Sequence, residues 1–324
     1  MINMNKINQL YIFTVLLLTA QTALAQNWPT RTVRIIVPYA AGGNTDYTAR
    51  TVGAKLAEMW GQQVSVDNRP GGGTNIGSEL AARAVPDGYT LFMGGASNAI
   101  NMTLYAKPSY NTQRDFAPIV WCVQGAAILA AHPSLPAKNL RGLIALAKAR
   151  PGQLNFATAG LGSSNHMAGE LFNVMAGVNI LHVPYKGNAP SITDAIAGHV
   201  EMVFSGVPAL IPHMQSGRLR AIAISSLERF PAVPDVPTFD ESGVKGYEVS
   251  NWFGLMAPIK VSKDIINKVN ADANRALAAK DVREKFDRDG LITKGGTIEV
   301  FDKFIQAETE KYARVIKKAG IQPL

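Results

Sequence analysis

Three glycine-rich turns, each followed by amide and hydroxyl side chains, are the segments of this sequence most able to do chemistry. They are AAGGNTD (residues 40–46), RPGGGTN (69–75) and AGLGSSN (159–165). Each turn is expected to open a helix, whose free N–H groups and positive dipole attract anions. One helix terminus contributes roughly 0.3–2 kcal/mol, whereas micromolar binding requires about 8 kcal/mol. Several termini that converge in a closed cleft are therefore needed to hold a small carboxylate.

Other chemistries are poorly supported by residue type and spacing. The five histidines form neither an HxH nor an HExxH pair, and the single cysteine, Cys122, excludes an intramolecular disulfide. GGTNIGS (72–78) lacks the P-loop lysine, and GLGSSN (160–165) has only the first two Rossmann glycines. The +8 charge is dispersed, without an aromatic–basic stripe. We therefore expect no metal, no cofactor and no nucleic-acid partner.

A serine hydrolase is the enzymatic alternative. Ser163 or Ser164 could act with His166. These residues are too close in sequence for a familiar triad order, and the chain has no GxSxG motif. The sequence therefore favours them as supports of a helix N-terminus.

Strands and helices must alternate to position the glycine turns. β-branched and apolar runs predict strands, and apolar residues at helical spacing follow the glycine turns. This order predicts an α/β fold with parallel sheets, closed by two amphipathic helices. The expected strands lie at 33–38, 64–67, 90–93, 126–131, 154–158, 180–183, 201–204, 221–225 and 252–257.

Composition places the chain among globular proteins. It has 324 residues, of which 47% are hydrophobic and 17% charged. This size normally gives two domains or one large one. The sequence contains no apolar span long enough to predict a transmembrane helix.

The N-terminus has the order of a secretory signal peptide. A polar segment with Lys6 precedes an eleven-residue apolar run, LYIFTVLLLTA (10–20), and the small residues of Ala23-Leu24-Ala25 follow. Cleavage is expected after Ala25, which predicts a periplasmic mature chain from Gln26. No cysteine follows the apolar run, so a lipoprotein anchor is not expected.

The motifs resemble one family along nearly all of the mature chain. PYAAGGNTDYTAR (38–50) is similar to the first pocket loop of Bug-type solute-binding proteins, the extracytoplasmic receptors of tripartite tricarboxylate transporters. Further matches follow in order: NRPGGGTNIG (68–77), PDGYTL (86–91), FATAGLGSSNHMAGELF (156–172), HVPYKGNAPSITDAIAGHVEMVFS (182–205), SGRLRAIAIS (216–225), PDVPTFDESG (234–243) and NWFGLMAP (251–258).

The resemblance implies a fold like that of type II periplasmic binding proteins. Two α/β lobes would surround a ligand cleft, and the chain would cross between them twice, near residues 123–125 and 242–246. After the signal peptide (1–25), we expect lobe 1 to comprise 26–124 and the return segment 245–324, with lobe 2 at 125–244.

The resemblance also implies ligand-contacting positions on two facing loops. Lobe 1 would contribute Tyr39, Gly42, Gly43 and Asp46, and lobe 2 would contribute Ala159, Gly160, Ser163 and Ser164. Ser97, Tyr185, Ser205 and Trp252 are further residues expected to line the cleft.

Some of these residues also have structural interpretations. Asp46 and Arg50 are four residues apart, so Asp46 could support its helix instead of contacting a ligand. Tyr39 could belong to the core, and Trp252 could lie in a core between the lobes.

The implied function is capture of a small carboxylate by hinge closure and its delivery to a membrane permease, without catalysis. Di- and tricarboxylates and aromatic acids all fit, and Tyr39 and Trp252 favour a planar acid. The family often has an acidic residue near Ser205, and its absence here disfavours an amino-acid ligand. The chain is expected to act as a monomer. A periplasmic sensor that signals to a receptor kinase is the alternative outside catalysis.

Overall fold

The computed structural model describes residues 28–318 and 320–324. The predicted signal peptide and its cleavage site lie outside these residues. Among the helices of the described part, none is both long and apolar enough to span a membrane.

Ten strands alternate with eleven helices in the described chain. The strands are β1 (Val33–Val37), β2 (Val64–Asn68), β3 (Thr90–Gly95), β4 (Phe116–Ala131), β5 (Asn155–Thr158), β6 (Leu181–Pro184), β7 (Met202–Gly206), β8 (Arg220–Ile224), β9 (Ser250–Pro258) and β10 (Leu291–Thr293). The helices are α1 (Asn44–Trp60), α2 (Asn75–Ala82), α3 (Ala96–Leu104), α4 (Thr112–Asp115), α5 (Leu140–Ala149), α6 (Ser164–Ala176), α7 (Asn188–Ala197), α8 (Val207–Gln215), α9 (Lys263–Ala278), α10 (Lys280–Arg288) and α11 (Ile298–Lys318). A single 3-10 turn, Gly72–Thr74, leads into α2.

Lobe 1 is built on the strand order β2-β1-β3-β9-β4, with β10 on the other edge of β4. β1 pairs in parallel with β2 and β3, so their carboxyl ends lie at one edge of the sheet. The antiparallel β9 then joins β3 to β4. β1 and β3 are buried because they carry apolar runs covered by helices on both faces, whereas the edge strand β2 is half-buried.

Lobe 2 repeats this plan with the order β4-β7-β5-β6, and β8 also pairs with β4. β5 is parallel to β6 and β7. The turns after β5, β6 and β7 therefore open α6, α7 and α8 at the same edge of the sheet. Parallel strands place their helix N-termini together in this way.

β4 connects the lobes, because it is long enough to belong to both sheets. Its first part pairs with β9, and its last five residues pair with β7. β4 passes from the first sheet to the second between Ala126, the last residue paired with β9, and Ala127, the first paired with β7. The return crossing lies at Val249–Ser250, later than the predicted boundary at residue 245, because Tyr247 and Val249 pack in the lobe 2 core.

Candidate functional site

The two lobes meet along the carboxyl edges of their parallel strands. Backbone and side-chain hydrogen bonds join them across this boundary. The N–H of Ala40 donates to the carbonyl oxygen of Lys186 at 3.0 Å. The hydroxyl of Ser164 donates to Oδ1 of Asn251, at the start of β9. The lobes are therefore in contact, in a closed arrangement.

A small cavity of about 20 Å³ lies between the lobes, where three helices begin. α1 comes from lobe 1, and α6 and α7 come from lobe 2. The first residues of all three helices line the cavity. The full lining is Tyr39, Gly43, Asn44, Thr45, Ala159, Ser163, Ser164, Asn165, Asn188, Asn251 and Phe253.

Two of the three helix termini have no side-chain cap, because their cap residues are Gly43 and Gly187. Their first N–H groups consequently remain available to a ligand. The third helix, α6, is capped by Ser163, whose hydroxyl oxygen accepts from the N–H of His166 at 3.1 Å. The positive ends of the three dipoles point into one small space, which favours negative charge there.

Amides and hydroxyls supply the polar surface of the cavity. Nδ2 of Asn165 donates to Oδ1 of Asn188 at 3.2 Å, and Nδ2 of Asn251 donates to Oδ1 of Asn165 at 3.4 Å. Asn44 is buried, and its Oδ1 has no hydrogen-bond partner among the described residues. All eleven lining residues are uncharged, so the field inside comes from helix dipoles and neutral donors. Such a site suits an anion better than a cation.

Asn44 itself crosses the lobe boundary. A Cβ at position 206 would collide with the side-chain amide of Asn44. Glycine at this position lets the Asn44 side chain pack against the backbone at the end of β7. The first residue of α1 is thereby held against lobe 2.

Five of the predicted contact residues line this cavity. They are Tyr39, Gly43, Ala159, Ser163 and Ser164. Burial raises the pKa of the Tyr39 phenol well above its usual range, so the phenol is a neutral hydrogen-bonding group at physiological pH.

Asp46 and Gly42 are hydrogen-bonded to each other at the start of α1, next to the cavity. Oδ2 of Asp46 accepts from the N–H of Gly42 at 3.0 Å and from Nε of Arg50 at 2.9 Å. Burial raises the pKa of Asp46, but the hydrogen bonds from Arg50 and Gly42 outweigh it and leave the pKa below its ordinary value. Asp46 is therefore ionised and fixes the turn before α1, as its structural interpretation requires. Neither residue is among those lining the cavity.

Gly160 and Tyr185 lie beyond the cavity, on the wall of a second space toward solvent. Gly160 has a φ of 129°, and a Cβ there would lie 2.6 Å from the carbonyl oxygen of Tyr185. Any side chain at Gly160 would consequently distort the loop. The hydroxyl of Tyr185 donates to Oδ2 of Asp194 at 2.6 Å.

Ser97 and Ser205 are buried, at the start of α3 and near the end of β7. Their hydroxyl oxygens have no hydrogen-bond partner within the described chain. Neither serine is among the residues that line the cavity.

Trp252 lies in the lobe 1 core, apart from the cavity lining. Its Nε1–H donates to Oε2 of Glu308 on α11 at 3.0 Å, and its ring packs edge-on against Phe301 and Phe304. Adjacent residues of a strand point to opposite faces, so Asn251 and Phe253 reach the cavity and Trp252 does not.

The serine–histidine alternative has no matching geometry. The Ser163 hydroxyl donates to the carbonyl oxygen of Gly160 at 2.7 Å. Nδ1 of His166 accepts from the N–H of Gly162, and its ring stacks on His182 at 4.1 Å. Burial lowers the pKa of His166 to about 4, so the ring is neutral near pH 7. These bonds give the serine and histidine structural roles in the turn.

Six lining residues were missed in the sequence, namely Asn44, Thr45, Asn165, Asn188, Asn251 and Phe253. Asn44, Thr45 and Asn165 lie within two of the glycine-turn segments, 40–46 and 159–165, so the start of each helix was the usable signal. Asn188 follows Gly187 in the same way. Asn251 and Phe253 could be found only from the pairing of β9 with β4.

The family model "Tripartite tricarboxylate transporter family receptor" matches residues 48–321. Rpa4515 of R. palustris, solved with adipate, is 34% identical; the alignment covers 92% of this chain and 100% of that chain, with a TM-score of 0.89. MatC (Rpa3494) of Rhodopseudomonas palustris, solved with bound malate, is 31% identical; the alignment covers 89% of this chain and 100% of that chain, with a TM-score of 0.86. The periplasmic binding protein BugD is 32% identical; the alignment covers 92% of this chain and 100% of that chain, with a TM-score of 0.89. The expected fold class is therefore confirmed.

Proposed function

This chain belongs to the tripartite tricarboxylate transporter receptor family, and from that premise we propose that it is a periplasmic receptor for a small carboxylate. The observation that carries the proposal is the convergence of α1, α6 and α7 on one uncharged cavity between the lobes. Helix N-termini stabilise negative charge, and three of them contribute about 1–6 kcal/mol. Hydrogen bonds from the lining amides and hydroxyls supply the remainder of a micromolar affinity. The adipate and malate in the structures of two relatives agree with this ligand class.

The donors for the carboxylate would come from both lobes. The N–H groups at Asn44 and Thr45 begin α1, and those at Ser164 and Asn165 begin α6. The amide of Asn188 adds a side-chain group from α7. A carboxylate has two oxygens with about four acceptor sites, so it can accept from both lobes at once.

Closure would follow from this bridging. A ligand that contacts both lobes binds the closed state more tightly than the open state and shifts the population toward it. The hydrogen bonds Ala40–Lys186 and Ser164–Asn251 would be completed in the same step. β4 and β9 carry both crossings, so bending at Ala126–Ala127 and Val249–Ser250 would move the lobes as units.

Delivery to a permease is the other half of the proposed function. Export with cleavage after Ala25 would place the mature chain in the periplasm as a monomer. The closed form would dock on the permease subunits and release its ligand, without any covalent step. Uptake of labelled ligand by cells that express the permease should require this chain, and uptake unaffected by its deletion would contradict delivery.

Isothermal titration of the mature chain against malate, adipate, citrate and terephthalate tests the proposed binding of a carboxylate. Each acid is paired with its uncharged amide as a matched control. At least one acid should bind with micromolar or tighter affinity while its amide does not. Equal binding of acid and amide, or no binding of any acid in the panel, would overturn the carboxylate assignment.

A further inference from the structure

A groove of about 600 Å³ runs along the hinge of the molecule and shares no lining residue with the cavity. Both crossing strands line this hinge groove. Ala126 ends the lobe 1 part of β4, and Val249 and Ser250 form the return crossing. Lobe 2 supplies one wall, residues 226–232, and lobe 1 supplies the other, with residues 287 and 290–292.

The shape of the hinge groove depends on the angle between the lobes. Its walls belong to different lobes and its base is the pair of crossings, so rotation about the crossings moves one wall relative to the other. The lobes also touch here. A Cβ at Gly290 would lie 2.6 Å from Cγ1 of Val207 and 3.3 Å from Cβ of Ala232, both in lobe 2. The hinge groove therefore has this form only while the lobes are together.

Both walls of the hinge groove present large apolar side chains to solvent. Leu227 of lobe 2 is 52% exposed, and Ile292 of lobe 1 is 47% exposed. Between them the groove is lined by buried Ala126, Val249 and Leu291. An apolar surface bordered by polar residues is typical of a site that another protein covers.

Three exposed carboxylates border this apolar surface. Glu228 and Glu248 come from lobe 2, and Asp287 comes from lobe 1. Within the described chain, none of the three lies within ion-pairing distance of a lysine, arginine or histidine. The carboxylates consequently remain available to a basic partner.

The two cationic residues of the hinge groove are already engaged. Arg229 pairs with Glu241 at 2.9 Å, and the ammonium of Lys294 lies 5.0 Å from the centre of the Trp121 ring. The groove thus carries a local excess of negative charge on a chain whose net charge is +8. Such a patch is complementary to a basic segment of a partner and repels an acidic one.

From this arrangement we propose that the hinge groove docks a periplasmic segment of the permease, one with an apolar side chain flanked by lysine or arginine. This inference rests on the proposed receptor function and names the surface that delivery uses. The apolar side chain packs between Leu227 and Ile292, and the flanking cations pair with carboxylates of both lobes. Because the groove depends on the lobe angle, the permease distinguishes the closed, loaded chain from the open one.

The charges are tested by the double variant Glu228→Gln with Asp287→Asn. Neither side chain lines the cavity, so titration with the best-binding acid should give the wild-type affinity. Uptake of that acid by cells that express the permease should fall about two- to thirtyfold at subsaturating receptor, the range for two exposed ion pairs. Asp235→Asn with Asp264→Asn is the matched control, since both residues are exposed, one in each lobe, outside the hinge groove. It should leave uptake unchanged.

Contact is tested by Leu227→Cys labelled with benzophenone maleimide. The native Cys122 is buried, so the label attaches at position 227. In membranes that contain the permease, irradiation should crosslink the labelled chain to the permease, and more strongly with the acid than without it. Lys148→Cys, exposed on α5 outside the hinge groove, is the control and should give no crosslink.

Crosslinking to lipid alone, or equal crosslinking from position 148, would overturn docking at the hinge groove. So would wild-type uptake in the Glu228→Gln, Asp287→Asn variant. In each of these cases the acid still binds and the receptor assignment stands. If the wild-type chain binds no acid, or uptake does not require it, the proposed function and this inference fail together.

Discussion

The amide of Asn188 offers the sharpest test of the electrostatics of the cavity. Asn188 is the first residue of α7, is buried, and lines the cavity. Its Oδ1 accepts from Asn165, and an aspartate in its place retains that acceptor. Asn188→Asp therefore adds one negative charge with almost no change of shape. A negative charge in the first turn also suits the helix dipole, worth about 0.3–1 kcal/mol.

The closeness of residue 188 to the bound carboxylate sets the expected loss of affinity. Asn188 lines the cavity, so a carboxylate held there lies about 4 Å from the charge that Asn188→Asp adds. Two like charges at that distance repel by about 4 kcal/mol at an effective dielectric constant of about 20. Solvent that reaches the site reduces this figure, so we expect Kd to rise by about 100- to 1000-fold.

Titration of wild type and Asn188→Asp with the best-binding acid measures the loss of affinity. Urea unfolding of each protein measures the change in the stability of the fold. Asn139→Asp is the matched control, because Asn139 caps α5 by accepting from the N–H of Gly142 at 2.9 Å on the exposed surface. The control carries the same charge change and should bind like wild type. Unchanged affinity in Asn188→Asp with normal unfolding would refute the placement of the carboxylate at these helix termini.

Three further predictions concern the described core. The pKa of His166 in the fold is about 4, against an ordinary value near 6.5, so the unfolded chain binds more protons between these values. The free energy of unfolding should therefore fall as pH drops through that window, by up to about 1.4 kcal/mol per pH unit. In His166→Gln, the free energy of unfolding measured by urea titration at each pH should fall less steeply as pH drops. Trp252→Phe removes the hydrogen bond to Oε2 of buried Glu308, whose Oε1 keeps its bond to Lys311, and should cost about 1–3 kcal/mol in urea unfolding without changing ligand affinity; a loss of affinity alone would assign Trp252 to the site. Burial raises the pKa of Cys122 to about 12, so the native chain should resist iodoacetamide until it unfolds, and rapid native labelling would contradict this.

The fold could be predicted because its signals are local. β-branched runs such as residues 33–37 are buried strands, and the glycine turns after them open helices as expected. The return crossing was placed too early, because the packing of Tyr247 and Val249 in lobe 2 is a long-range property. Proline-rich sequence before these residues gave no information about which core they would join.

Only part of the candidate site could be predicted, for a related reason. The resemblance implied both Tyr39 and Ser163 as contact positions, and both line the cavity; Tyr39 is also marked by its place between a strand end and a glycine turn. For Trp252 the resemblance implied the cleft and a core position was the alternative; the register of β9 turns its side chain toward Glu308. Asn251, one residue earlier, lines the cavity instead. Strand register depends on distant partners and cannot be read from either residue alone.

A crystal structure of the mature chain with its best-binding acid tests the proposed binding site most directly. We predict closed lobes, with one carboxylate within hydrogen-bonding distance of the N–H groups at the starts of α1 and α6. A ligand bound outside the space between the lobes, or one with its carboxylate directed away from these helix termini, would contradict it.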